Sequence, residues 1–192
     1  MDQNNHTITL YTTQTEPVLE CLRSDGVCYS REAYLRSKYD QDGPLFLTVY
    51  GWFVEKAEEL LPPPPEAEYP YWVYEHPYDI ASGGDGKLLK LEVPSSEVLL
   101  FDTAEWQKIL SLQYLGESAQ EKRMKQELSA RGIQPNDVML TGFYPELKEQ
   151  ILSSWNRLLR NNNKLRQGMR CGVQSMQGAL WCIRREWICG AI

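Results

Sequence analysis

Apolar and polar residues alternate at two different periods along this chain, every second residue in some stretches and every third or fourth in others. Residues 8–13 are β-branched and aromatic around Leu10, which predicts a first strand. Thr15 then suits a helix N-cap, with Pro17 in the first turn, Val18, Leu19 and Leu22 on one face, and Gly26 just past the end. Residues 27–29 predict a short second strand, and Ser30 a cap for a short helix over 31–38. The clearest helix covers 45–61, where Leu45, Val49, Trp52, Phe53, Lys56 and Leu60 recur at helical steps. Four prolines, Pro62 to Pro65, end it, because they donate no backbone hydrogen bonds and favour an extended chain. Residues 69–76 read as an aromatic strand and 81–86 as a glycine-rich loop. In 87–93, Leu89, Leu91 and Val93 fall on one side of a half-buried strand, and 98–101 form a short buried one.

Helices dominate next. Asp102 or Thr103 caps a helix carrying Trp106, Ile109 and Leu110. A polar helix covers 118–131. Pro145 opens another, with Leu147, Ile151, Trp155 and Leu158 on one face and a stop at Asn161 to Asn163. The last apolar stretch, 173–183, reads as a strand, with a helix as the alternative. Strands on both sides of a helical block predict an α+β fold: a small mixed or antiparallel sheet with flanking helices. The expected organisation is one domain over 1–192, its helical block at about 103–163.

Composition agrees with a packed core. The chain has 192 residues, 42% hydrophobic and 11% aromatic, and a domain of that size buries roughly 70% of its unfolded surface. Five cysteines at wide spacings, with no C-x-x-C pair, predict free and mostly buried thiols in a reducing compartment. The N-terminus lacks the apolar run of a signal peptide, and no stretch approaches about 20 apolar residues. The expectation is a cytoplasmic protein without a membrane partner. Charge is unevenly spread: 154–192 carry seven basic residues and one acid, a net +6, which leaves −12 on 1–153 of a chain whose total is −6. A basic end can hold phosphate or nucleic acid, whereas a solvated helix face that neutralises its own body is the plainer reading. The acidic body argues against nucleic acid as the main partner.

Few catalytic signatures are present. The sequence contains no G-x-G-x-x-G, P-loop, H-E-x-x-H or G-x-S-x-G motif. His6 and His76 are the only histidines and their spacing sets no metal site. Trp52, Trp106 and Trp155 sit on apolar helix faces and read as core. Trp72 and Tyr74 share one strand face, suited either to stacking on a ligand or to sheet packing. Gln177 is polar within an apolar segment, so it belongs either to a structural network or to a site.

A longer pattern runs through the chain. It begins with Leu10-Tyr11-Thr12-Thr13-Gln14-Thr15, Asp25-Gly26-Val27 and Tyr50-Gly51-Trp52, and continues through Pro62-Pro63-Pro64 and Tyr69-Pro70-Tyr71-Trp72. It closes with Glu97-Val98-Leu99-Leu100-Phe101-Asp102, Trp106, Ser154-Trp155 and Gln177-Gly178-Ala179-Leu180-Trp181. These ordered blocks resemble a bacterial domain-of-unknown-function family that opens with L-W-T-x-Q-T. The layout is also similar to ADP-ribosyltransferase-like folds, which cradle NAD between two small sheets. That resemblance implies a split sheet and NAD or a related nucleotide as ligand. It implies Thr12, Gln14, Trp72 and Tyr74 as ligand-binding residues. Gln177 would be the catalytic-position residue, orienting a ribose hydroxyl, since an amide cannot serve as a general base. Whether the chain is an enzyme stays open. Two other classes stay open as well: an interaction module with a protein partner, and nucleic-acid binding through the basic segment.

Overall fold

A computed structural model describes residues 6–30, 43–80 and 86–190, with the side chains of 43–46 excepted. The helix expected over 31–38 and most of the 81–86 loop lie outside the described residues. The chain runs through β1 (Thr7–Gln14), α1 (Glu16–Asp25), β2 (Val27–Tyr29), α2 (Gly43–Leu60), β3 (Tyr71–Tyr74), β4 (Lys87–Pro94) and β5 (Leu99–Asp102). It continues with α3 (Thr103–Leu110), α4 (Ser118–Ala130), α5 (Pro135–Leu140), α6 (Pro145–Trp155), α7 (Asn162–Arg166), β6 (Met176–Leu180) and β7 (Cys182–Arg184).

The architecture is α+β. Five strands form one antiparallel sheet in the order β4-β1-β3-β6-β5, and β2 pairs with β7 in a separate two-stranded ribbon. Local chemistry sets several boundaries. Gly26 closes α1 at φ +76°, a left-handed turn that a side chain disfavours. Asp102 caps α3 by accepting the Ala104 N–H at 2.7 Å.

The strands bury alternate residues on both sides of the large sheet. On one side Leu10, Tyr71, Val73, Leu89, Leu91, Val93, Leu100 and Leu180 pack with Leu19 and Leu22 of α1 and with Trp187. On the other, Leu99, Phe101 and Ala179 pack under Phe53 of α2, Trp106 of α3 and Trp155 of α6. Val49, Trp52 and Ala57 extend the buried stripe of α2, whereas Leu60 is 48% exposed.

The sheet edge at β5 is closed by a side chain. Asn162 is 2% exposed, and its Oδ1 accepts the Leu100 N–H at 2.9 Å. That bond satisfies a donor which an edge strand would otherwise leave unpaired.

Three expectations change. Strand rather than helix occupies the 173–183 stretch, but only from Met176, and as two strands in two sheets separated at Trp181, whose Nε1 donates to the Leu61 carbonyl at 2.6 Å. Asn162 and Asn163 begin α7 rather than stopping α6, which ends at Trp155. All five cysteines are free, yet Cys171 and Cys189 are exposed and only Cys28 and Cys182 are buried. Among the described residues no helix is long and apolar enough to cross a membrane.

Candidate functional site

β1, β3 and β6 lie side by side at the centre of the large sheet, and their register decides which side chains share a face. Tyr11 sits opposite Lys90 on β4 and Tyr74 on β3. Tyr74 sits opposite Gln177, and Gln177 opposite Phe101. Directly paired residues of neighbouring strands project to the same side. Lys90, Tyr11, Tyr74, Gln177 and Phe101 therefore form one row across the sheet. Two residues along, Trp72, Ala179 and Leu99 form the next row on that face. In the opposite direction Thr103 donates its N–H to the Ser175 carbonyl at 3.0 Å, which carries the pairing one residue further and adds Ser175 and Thr103 to the same face.

Trp72, Tyr74 and Gln177 thus come together, as their candidacy requires. Thr12 and Gln14 do not join them. Both share the parity of Leu10, and Thr12 sits opposite Leu89 and Gln14 opposite Lys87, so they project from the other side of the sheet. There Thr12 Oγ1 donates to the Trp72 carbonyl at 2.9 Å and accepts from Gln14 Nε2 at 2.8 Å. These bonds stitch β1 to β3. Tyr11, the residue between the expected pair and Leu10, occupies the shared row instead.

The helix layer walls one end of this face with rings. Trp72 lies 4.9 Å from Trp106, 5.0 Å from Phe53 and 5.5 Å from Tyr50, measured between ring centroids. Trp72 is therefore knitted into the core along one side, and it is the half-buried Tyr74 that carries the aromatic surface on toward Gln177. Gln177 is 2% exposed, and among the described residues its Oε1 has no hydrogen-bond partner. An unsatisfied buried acceptor of this kind costs about 1–3 kcal/mol.

The row beyond Gln177 is polar. Ser175 Oγ donates to Asp79 Oδ2 at 2.6 Å, and Thr103 Oγ1 approaches Ser175 Oγ at 3.4 Å. Asp79 is held there by a short turn after β3, where its N–H reaches the His76 carbonyl at 3.2 Å. His76 stacks on Tyr78 with centroids 4.8 Å apart and planes 17° from parallel. Glu75 is engaged on its own account: it accepts Arg170 Nη1 at 2.5 Å and the Met176 N–H at 3.2 Å. Among the described residues no group of three or more His, Cys, Asp or Glu is placed to hold a metal ion.

The basic C-terminal segment folds onto the acidic body. Arg157 donates to Glu105 at 2.9 Å and to Glu117 at 2.5 Å. Burial opposes the Arg157 charge, but these two carboxylates outweigh it and raise its pKa. The Arg157 hydrogen bond in turn lowers that of Glu117. Arg166 donates to the Ser95 carbonyl. Beside Arg157 lies a polar cleft of about 160 Å³, lined in part by Asp102, Glu105, Arg160, Asn161 and Cys171.

Strand parity separates Tyr11 from the Leu10 set on β1, but its place beside Tyr74 is set by register. No comparable signal marks Ser175 or Asp79, which meet across 96 residues of chain.

A family model described as a domain of unknown function (DUF3841) matches residues 9–189. No curated protein and no solved structure matches the chain.

Proposed function

We infer a function for a chain that belongs to the DUF3841 family of domains of unknown function: it binds a small planar ligand of the nucleotide type, NAD among them, on the sheet face that carries Tyr11, Trp72, Tyr74 and Gln177. The observation that carries this reading is the Gln177 Oε1, buried beside rings and without a donor among the described residues. Buried polar atoms in folded proteins are almost always paired, so one left open calls for a partner, and in this reading a bound ligand supplies it. A nucleobase amine or a carboxamide supplies an N–H donor on a flat ring, which matches an acceptor bordered by Tyr74 and Trp72. Tyr74, Ser175 and Thr103 are half-buried neighbours, and the ligand reaches the amide across them.

In this reading Gln177 is a binding residue. Thr12 and Gln14 contribute only by fixing β1 against β3. The ADP-ribosyltransferase-like layout remains part of the proposal through the order of its strands alone.

Titration calorimetry with NAD, adenosine and nicotinamide tests the reading on the wild-type chain and on Gln177→Ala. Heat of binding to the wild type that is lost in the variant is expected. A wild-type chain that takes up none of the three refutes the proposal.

A second reading, a protein-interaction module, draws on Phe143, 81% exposed, and on Leu140, 40% exposed, three residues before it. Phe143→Ser should abolish stoichiometric capture of a partner from the native host. Capture unchanged by that variant removes the reading.

A further inference from the structure

The proline run after α2 lies outside the sheet-face row. Leu61, Pro62, Pro63 and Pro64 each precede a proline, which holds their backbones extended. The four rings also fix their own φ at about −65°. Such a stretch adopts the polyproline conformation, with about three residues per turn. Residues three apart then share an edge, so Pro62 and Pro65 stand together. Both are exposed, whereas Pro63 and Pro64 are half-buried.

Both ends of the run are tied to the fold. The Leu61 N–H donates to the Ala57 carbonyl at 2.8 Å, and the Leu61 carbonyl accepts from Trp181 Nε1 at 2.6 Å. Downstream, the buried Ala67 donates its N–H to the Pro64 carbonyl at 3.0 Å, closing a turn with Pro65 at its second position. The Glu68 N–H then reaches the Ser30 carbonyl at 3.1 Å. The ridge is formed before any partner arrives, so association does not pay to order it.

The ridge also has a charged and apolar border. Residues 55–66 hold four glutamates, all exposed, and one lysine, a net −3. Lys56 is shared between Glu55 and Glu59. Glu58 precedes the prolines and Glu66 follows them. Leu60, 48% exposed, adds an apolar side chain at the end of α2.

We propose that Pro62 and Pro65 form a docking ridge for a partner protein that offers an aromatic-lined groove with a basic rim. Groove rings pack on the two exposed proline rings, and the rim meets Glu58 and Glu66. This inference is independent of the sheet-face ligand and uses residues other than Leu140 and Phe143.

The test titrates the unlabelled full chain into isotope-labelled SH3, WW and EVH1 domains, three aromatic-groove probes, and follows them by NMR. Saturable shifts at the groove residues of at least one domain are expected, reversed by excess free decaproline. Pro62→Ala and Pro65→Ala should each weaken that binding about tenfold. Glu58→Gln combined with Glu66→Gln should weaken it about threefold and flatten its salt dependence. Unchanged melting temperatures establish that the variants fold, and the decaproline competition needs no variant. No shifts in any of the three domains overturn the proposal. Shifts that decaproline does not reverse, or that persist undiminished in both proline variants, overturn it as well. Affinity and salt dependence unmoved by the glutamate variant overturn the basic rim.

Discussion

Replacing Gln177 with leucine should stabilise the free protein and abolish ligand binding. Leucine is close to glutamine in volume and carries no acceptor. The site lies among Tyr74, Phe101, Ala179 and Trp72, so an isobutyl group meets apolar neighbours on the face it enters. Leaving a buried acceptor unpaired costs about 1–3 kcal/mol, and removing the acceptor recovers part of that. Imperfect packing of the branched side chain takes back several tenths, so the net expectation is a gain of about 1–2 kcal/mol. In a domain of this size that corresponds to a rise in melting temperature of roughly 2 to 8 °C. Urea denaturation followed by tryptophan fluorescence reads the gain as a higher midpoint at unchanged slope. Calorimetry on the same sample reads the loss of binding. A Gln177→Leu protein that is destabilised by more than about 1 kcal/mol would refute the reasoning. It would mean that the amide is satisfied in the free protein and serves the fold rather than a ligand.

Other consequences follow from packing and charge. Asn162→Ala removes the acceptor of the buried Leu100 N–H and should cost about 1–3 kcal/mol in urea denaturation; a neutral result would mean that the β5 edge finds another partner. A methyl group added at Gly178 would lie 2.9 Å from the Leu99 carbonyl oxygen and 3.0 Å from side-chain carbons of Leu100 and Val73, so Gly178→Ala should lower stability by about 1–3 kcal/mol. Thiol labelling should modify Cys171 and Cys189 quickly and Cys28 and Cys182 only on unfolding. Burial pushes the Cys182 thiol up to about 11 from 9.0, so its contribution to stability is present below pH 9 and lost as pH rises toward 11; Cys182→Ser should blunt that alkaline loss. Glu117 is held below its ordinary value of 4.5 by the Arg157 hydrogen bond, so it stabilises the fold above that pH and loses the effect as pH falls; Glu117→Gln should flatten the acid limb of a stability–pH curve.

Much of the fold is legible from local chemistry. The alternation of Leu89, Leu91 and Val93 fixes the buried side of β4, and the helical spacing of Val49, Trp52 and Phe53 fixes that of α2. Gly26 and Asp102 mark helix ends through backbone conformation and a side-chain acceptor, both of which act within a few residues. Other features escape such reading because they depend on distant partners. Asn162 looks like a helix breaker within its Asn161–Asn163 run, yet its role is set by Leu100, 62 residues away. The 173–183 stretch reads as one apolar strand because both of its halves are buried, while the separation at Trp181 depends on the position of the Leu61 carbonyl.

The amino-acid sequence alone determined an α+β chain, its family, most of its strands and helices, and three residues that do meet on one face: Trp72, Tyr74 and Gln177. Only the tertiary structure decided that Thr12 and Gln14 point the other way, that Tyr11 takes their place, and that Ser175 brings Asp79 to the end of the row. The physical reason is that a period of two separates the two faces of a strand but does not say which face meets which on its neighbour. That choice belongs to register, and register here is set by pairings between residues from about 60 to over 100 positions apart.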